Sequence, residues 1–139
     1  MKFEFFFRVR GYELDSFNHV NNAVYLNYME EARWDCLLKT GFLDYFIKNK
    51  TFLAVIEVNI RYIRELKLFQ ECVVYSKIKW ESPYLVFYQD IYILKTNKKS
   101  AHAKVKMLHI TESRMPVDIP FELIKKLTGN EYDTKRFQL

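Results

Sequence analysis

The chain has 139 residues, 50% of them apolar and 17% aromatic, enough for one domain with a real core and too many for a disordered segment. Three glycines and three prolines leave no room for a linker or a low-complexity stretch, and no internal repeat is present. The formal charge of +5 suits an anionic partner (nucleic acid, membrane surface or a phosphate-bearing small molecule) without choosing among them.

The opening MKFEFFFRVR is not a signal peptide, because charges interrupt its apolar residues and no small-residue cleavage site follows. No apolar run approaches the roughly 20 residues of a membrane span. Cys36 and Cys72 fall inside predicted regular structure, which points to reduced, buried thiols. The expected location is the cytoplasm.

Phe3, Phe5, Phe7 and Val9 alternate with Lys2, Glu4 and Arg8, the pattern of a half-buried strand. A polar loop follows, holding Asp15, Asn18, His19, Asn21 and Asn22. Asn21 or Asn22 then caps a long helix that Gly41 ends. In that helix Tyr25, Met29, Ala32 and Cys36 recur at helical spacing. Val24, Tyr28, Trp34 and Leu38 intrude on the polar stripe, so burial on most sides is expected. Residues 42–50 read as a short helical or irregular connection.

Four strands come next. FLAVIEVNIRYI places Ile56, Val58, Ile60 and Tyr62 opposite Glu57, Asn59 and Arg61. In CVVYSKIKW, Cys72, Val74, Ile78 and Trp80 alternate with Tyr75, Lys77 and Lys79. Glu81-Ser82-Pro83 is a tight turn, since proline presets a turn dihedral. LVFYQDIYIL and AHAKVKMLHI are the last two strands, separated by a turn at Thr96–Lys99. Pro120 opens a short helix, FELIKKLT, and Gly129 closes it. The tail, residues 130–139, is expected to be poorly ordered, outside a core of about residues 2–128. Tight turns join consecutive strands antiparallel. One sheet of about five strands with one face to hide, and one apolar helix to hide it on, gives an α+β hotdog fold, the sheet wrapped around the central helix.

The segment RVRGYELDSFNHVNNAVYLNYMEEARWD resembles the hotdog thioesterases of the 4-hydroxybenzoyl-CoA thioesterase type. Tyr12, Asp15, His19-Val20-Asn21-Asn22, Tyr25, Tyr28, Glu30 and Arg33 carry the resemblance, in order and at spacing. It covers about residues 2–128, with LVFYQ after Pro83 as a weaker match. One departure is Ile63-Arg64-Glu65-Leu66, where relatives tend to carry a proline. The resemblance implies hydrolysis of a fatty acyl-CoA, long-chain, without metal or organic cofactor. It also implies a homodimer or homotetramer with the site at a subunit interface.

It assigns the catalytic carboxylate to Asp15 and an oxyanion-binding backbone N–H to Asn22. A loop carboxylate ahead of a helix start sits in a positive field, which suits a base or nucleophile. The free N–H groups of a first turn are natural oxyanion donors, worth about 3 kcal/mol each in the transition state. Asp15 as a simple turn cap remains the plainer alternative. His19 either serves the reaction or braces the loop. Tyr25, Arg61 and Arg64 are the candidate substrate-binding residues, the arginines for coenzyme A phosphates. His102 and His109 lie on opposite phases of one strand and form no metal pair there. Glu30 is expected to pair with Arg33, and Glu31 is the reserve carboxylate. Rival readings are a thioesterase for acyl carrier protein or aromatic acyl-CoA substrates, a hotdog dehydratase, and a non-catalytic module binding acyl-CoA or nucleic acid.

Overall fold

The computed structural model describes residues 2–129; the expected tail lies outside them. Strand β1 (Phe3–Arg8) leads through a 3₁₀ turn at Gly11–Glu13 to helix α1 (Asn22–Thr40) and helix α2 (Phe42–Asn49). Strands β2 (Thr51–Tyr62), β3 (Glu71–Glu81), β4 (Tyr84–Ile93) and β5 (Lys98–Thr111) follow, and helix α3 (Phe121–Thr128) closes the described chain. The five strands form one sheet in the order β1-β3-β4-β5-β2, antiparallel throughout. This is the hotdog layout expected from the pattern.

Period-2 alternation decides which side chains meet the helix. Val74, Ile78, Phe87, Ile91, Ala103 and Val105 pack inward against Tyr25, Met29, Ala32 and Cys36 of α1. Phe7 stacks on Tyr28 with ring centroids 4.0 Å apart, fixing β1 over the first half of α1. Asn21 is the N-cap, its Oδ1 accepting from the Ala23 N–H at 3.0 Å, so α1 begins at Asn22. Gly41 ends it at φ 83°, a left-handed conformation that glycine adopts without a Cβ clash. The residues after Gly41 are a regular helix rather than an irregular link, and Lys50 ends that helix, also left-handed.

Two expectations need correction. First, α1 is not buried on most sides. The sheet covers one face, and Leu26, Trp34 and Leu38 are open to solvent because nothing among the described residues lies over them. Second, the alternation in β2 breaks. The register shifts between Val55 and Glu57, so Ile56 occupies a bulge instead of sharing the inner face with Val58 and Ile60. As an edge strand, β2 leaves Phe52, Val55, Ile56, Val58 and Tyr62 exposed.

Candidate active site

The polar loop after β1 is a closed turn. The Asp15 N–H donates to the His19 carbonyl at 2.7 Å and the Asn18 N–H to the Asp15 carbonyl at 3.1 Å. Asn18 takes the left-handed φ of 62° that asparagine tolerates. Asp15 Oδ1 accepts from the backbone N–H groups of Phe17 (2.9 Å) and His19 (3.2 Å). Oδ2 makes no hydrogen bond among the described residues.

Asp15, His19, Asn22, Tyr25 and Arg64 line a single cleft of about 330 Å³, together with Tyr62, Ile63 and Glu65. The structure thus brings five of the six expected site residues to one place. Arg61 is elsewhere: it stands opposite His102 on the outer face of the sheet, and its neighbour Tyr62 takes the place at the cleft.

Asn22 is the first helical residue, and its backbone N–H has no protein acceptor among the described residues. It is a free donor of the kind that oxyanion binding requires. Tyr25 is a wall with a structural duty, since its hydroxyl accepts from the Leu66 N–H at 3.1 Å and holds the β2–β3 connection against α1. Burial raises its pKa above the ordinary tyrosine value. His19 carries a backbone bridge to Lys67, leaving its ring at the cleft. The loop that lacks the proline, Ile63 to Leu66, forms one side of the cleft.

Burial pushes the thiols of Cys36 and Cys72 up to about 12, so neither is a nucleophile at neutral pH. No group of three or more His, Cys, Asp or Glu among the described residues is arranged to hold a metal ion. His109 is buried with Thr51 and the Val117 carbonyl, and His102 pairs with Asp90 on the outer face. The expected Glu30–Arg33 pair is absent. Arg33 turns inward instead, and its Nη1 donates to Gln89 Oε1 at 3.0 Å, while Glu30 stays in solvent.

A family model described as the thioesterase-like superfamily matches residues 9–127. The chain belongs to that superfamily. It is 38% identical over 72 residues to the long-chain acyl-CoA thioesterase FadM of Escherichia coli (strain K12), covering 52% of this chain and 54% of that protein. It is 30% identical over 121 residues to the chloroplastic acyl-acyl carrier protein thioesterase ATL3 of Arabidopsis thaliana, covering 86% of this chain and 64% of the relative. The chain therefore spans between half and two thirds of these curated relatives. Among solved structures, the probable thioesterase YbaW from Escherichia coli superposes with a TM-score of 0.81 at 28% identity, over 91% of this chain and 96% of that one.

Within this superfamily member, three side chains that the sequence did not single out matter at the cleft, Tyr62 and Glu65 by lining it and Glu13 by holding the turn ahead of Asp15. The Tyr62 hydroxyl donates to the Asn22 carbonyl at 2.8 Å, joining the end of β2 to the start of α1. Glu13 is buried and accepts from the Tyr28 hydroxyl and the Arg10 N–H. Glu65 faces the cleft mouth, with its carboxyl held below the usual range by its own backbone N–H and then by His19. Nothing in the spacing predicts these contacts, because each joins residues from separate elements or a turn of unforeseen shape.

Proposed function

We propose that the chain is an acyl-CoA thioesterase, cleaving a long-chain fatty acyl-CoA with water to the free acid and coenzyme A. One observation carries the reading. The carboxylate of Asp15 and the acceptor-free N–H of Asn22 share a cleft, so a thioester carbonyl between them meets an attacking group and an oxyanion donor together.

As a general base, Asp15 Oδ2 takes a proton from water while the water oxygen adds to the carbonyl carbon. The Asn22 N–H holds the resulting oxyanion. Collapse expels the thiolate, which takes up a proton. As a nucleophile, the same oxygen adds directly, and water then cleaves the anhydride. His19, which lines the cleft, would orient water or the carbonyl. Arg64, at the cleft, is the candidate for a coenzyme A phosphate. The FadM relative supports the long chain and the Arabidopsis relatives support a carrier-protein thioester as the second reading.

A second copy of the chain fits the exposed edge. Strand β2 is an edge strand that leaves Val55 and Val58 exposed, and Val55 lines one pocket with Trp34 of α1. Pairing across a two-fold would close that edge beside the cleft, which Tyr62 of the same strand lines.

The test is thiol release from palmitoyl-CoA by wild type, Asp15→Asn and Asp15→Ala, with palmitoyl carrier protein in parallel. Asparagine keeps an oxygen for the Phe17 and His19 N–H groups, so the fold is retained while turnover falls by about 10²–10⁴. Full turnover by Asp15→Asn would move the carboxylate to Glu31. Faster cleavage of the carrier-protein thioester would select the second reading.

A further inference from the structure

Next to the catalytic cleft the chain exposes apolar loop tips that no core requires. Phe17, at the tip of the Asp15 turn, is 77% exposed, and Phe69, at the tip of the β2–β3 connection, is 60% exposed. Phe17 and Leu68 line one cavity of about 300 Å³, and Leu68, Phe69 and Leu94 line the adjoining one of about 620 Å³. His19 belongs both to the first of these and to the catalytic cleft, so the three form one trough. A contiguous apolar patch of this kind on a protein surface marks a binding face.

Phe69 also sits at φ 63°, a left-handed conformation that bulky residues avoid. The chain holds an aromatic ring in solvent on a strained backbone, where asparagine or glycine would be relaxed. Cations flank the tips. Arg8 lies over the Phe69 ring with 5.1 Å to its centroid, Lys67 lines the cavity of Phe17, and Lys95 lines that of Leu94. Glu71 is the one acid along these two cavities.

We propose that this trough rim docks on an anionic lipid surface. Phe17, Leu68, Phe69 and Leu94 enter the boundary between headgroups and acyl chains. Arg8, Lys67 and Lys95 meet lipid phosphates. Apolar tips that insert, beside long basic side chains that stay at phosphate level, are the composition of an interfacial anchor. An acidic protein partner would be met mainly by cations, whereas four apolar side chains stand here against three. Docking sets the mouth of the cleft at the surface where long acyl chains partition. The surface goes beyond the hydrolytic reading, since lipid binding needs no thioester to be cleaved.

The test is flotation of the full chain with vesicles of phosphatidylcholine alone or mixed with phosphatidylglycerol, at low and high salt. Wild type is compared with Phe69→Asn/Leu94→Ser. Asparagine accepts the left-handed φ, so this variant keeps its fold, checked by thermal melting. Phe17 is left in place because it lies within the turn that Asp15 closes, whose shape the variant must keep. Wild type floats with the anionic vesicles and is released by salt. The variant's partition falls about tenfold or more, with thiol release from a short, water-soluble acyl-CoA unchanged. Equal flotation of variant and wild type overturns the proposal. So does wild type that ignores anionic vesicles but is captured by an immobilised acidic carrier protein. A chain that floats yet cleaves no thioester sinks the hydrolytic reading and leaves this one standing.

Discussion

The hydroxyl of Tyr28 donates to the buried carboxylate of Glu13 across 2.9 Å, tying the turn that precedes Asp15 to the second turn of α1. The same Glu13 oxygen accepts from the Arg10 N–H at 2.7 Å, and the Glu13 carbonyl accepts from the Asn21 N–H at 2.9 Å. The position of the loop that carries Asp15 thus rests on one carboxylate. Tyr28→Phe removes one of its donors and leaves charge unsatisfied in the interior. We expect a loss of about 1–3 kcal/mol in urea unfolding, with a lower kcat at unchanged substrate specificity. A variant as stable and as fast as wild type would show that Glu13 is held adequately by Arg10 alone.

Arg33 is 8% exposed and forms no ion pair with a carboxylate of the described residues. Burial lowers its pKa, against the nearby charge of Glu30, and its guanidinium donates to Gln89. Gln89 is fully buried and also donates to the Met29 carbonyl and Ser76 Oγ. Gln89→Leu removes the acceptor of the buried Arg33 and one donor each from the Met29 carbonyl and Ser76 Oγ, and should cost about 2–4 kcal/mol. Arg33→Met, which removes the buried charge at similar volume, should cost less. Denaturant midpoints in the reverse order would contradict this account.

His109 supplies a pH dependence. The Val117 carbonyl can only accept, so Nδ1 carries a proton, and in the neutral ring Nε2 accepts from the Thr51 hydroxyl at 2.7 Å. Burial favours that neutral form and holds the pKa below the ordinary 6.5. The unfolded chain takes up a proton first, so this part of the stability is complete above pH 6.5 and is lost as pH falls toward the lowered folded value. His109→Gln should be less stable at neutral pH but flatter between about pH 7 and 5. Parallel melting curves for the two proteins across that range would exclude His109 as the source.

Lys50 ends α2 in the left-handed region at φ 53°, ψ 47°. A side chain there costs about 1–2 kcal/mol relative to the right-handed helix, which glycine avoids. Lys50→Gly should raise stability by about 0.5–1 kcal/mol after its larger unfolded-state entropy is subtracted. A lower melting temperature would mean that the lysine makes a compensating contact.

Val58 faces the inner side of an unpaired edge and remains 40% exposed in one chain. If a second copy covers that edge, Val58→Lys places a charge in the seam, and sedimentation velocity should show monomers where wild type sediments as a dimer or larger. Identical profiles would place the interface elsewhere.

The fold was legible because its signals are local. Alternation in β1 and β3 fixes which of their residues face α1, and Asn21 and Gly41 mark the ends of that helix through short-range backbone chemistry. The ordered set from Asp15 to Arg33 located the loop that lines the cleft. What stayed hidden depends on distant partners. The bulge at Ile56 belongs to the pairing of β2 with β5, 50 residues on. Arg33 could be read as a helix-surface partner of Glu30 until Gln89, 56 residues away in sequence, was found beneath it. Arg61 and Tyr62 are adjacent, and only the pleat decides that the tyrosine meets the cleft.

The two oxygens of Asp15 have separate employment. Oδ1 is spent on the turn, accepting from Phe17 and His19, and Oδ2 is left for the cleft. An amide at this position would preserve the first arrangement and erase the charge of the second. If Asp15 is the attacking carboxylate, as proposed, shape and reactivity are divided within a single side chain, and the amide would give a pocket that keeps its form and loses its chemistry. On this scaffold, silence of the chemistry would leave no visible scar in the architecture.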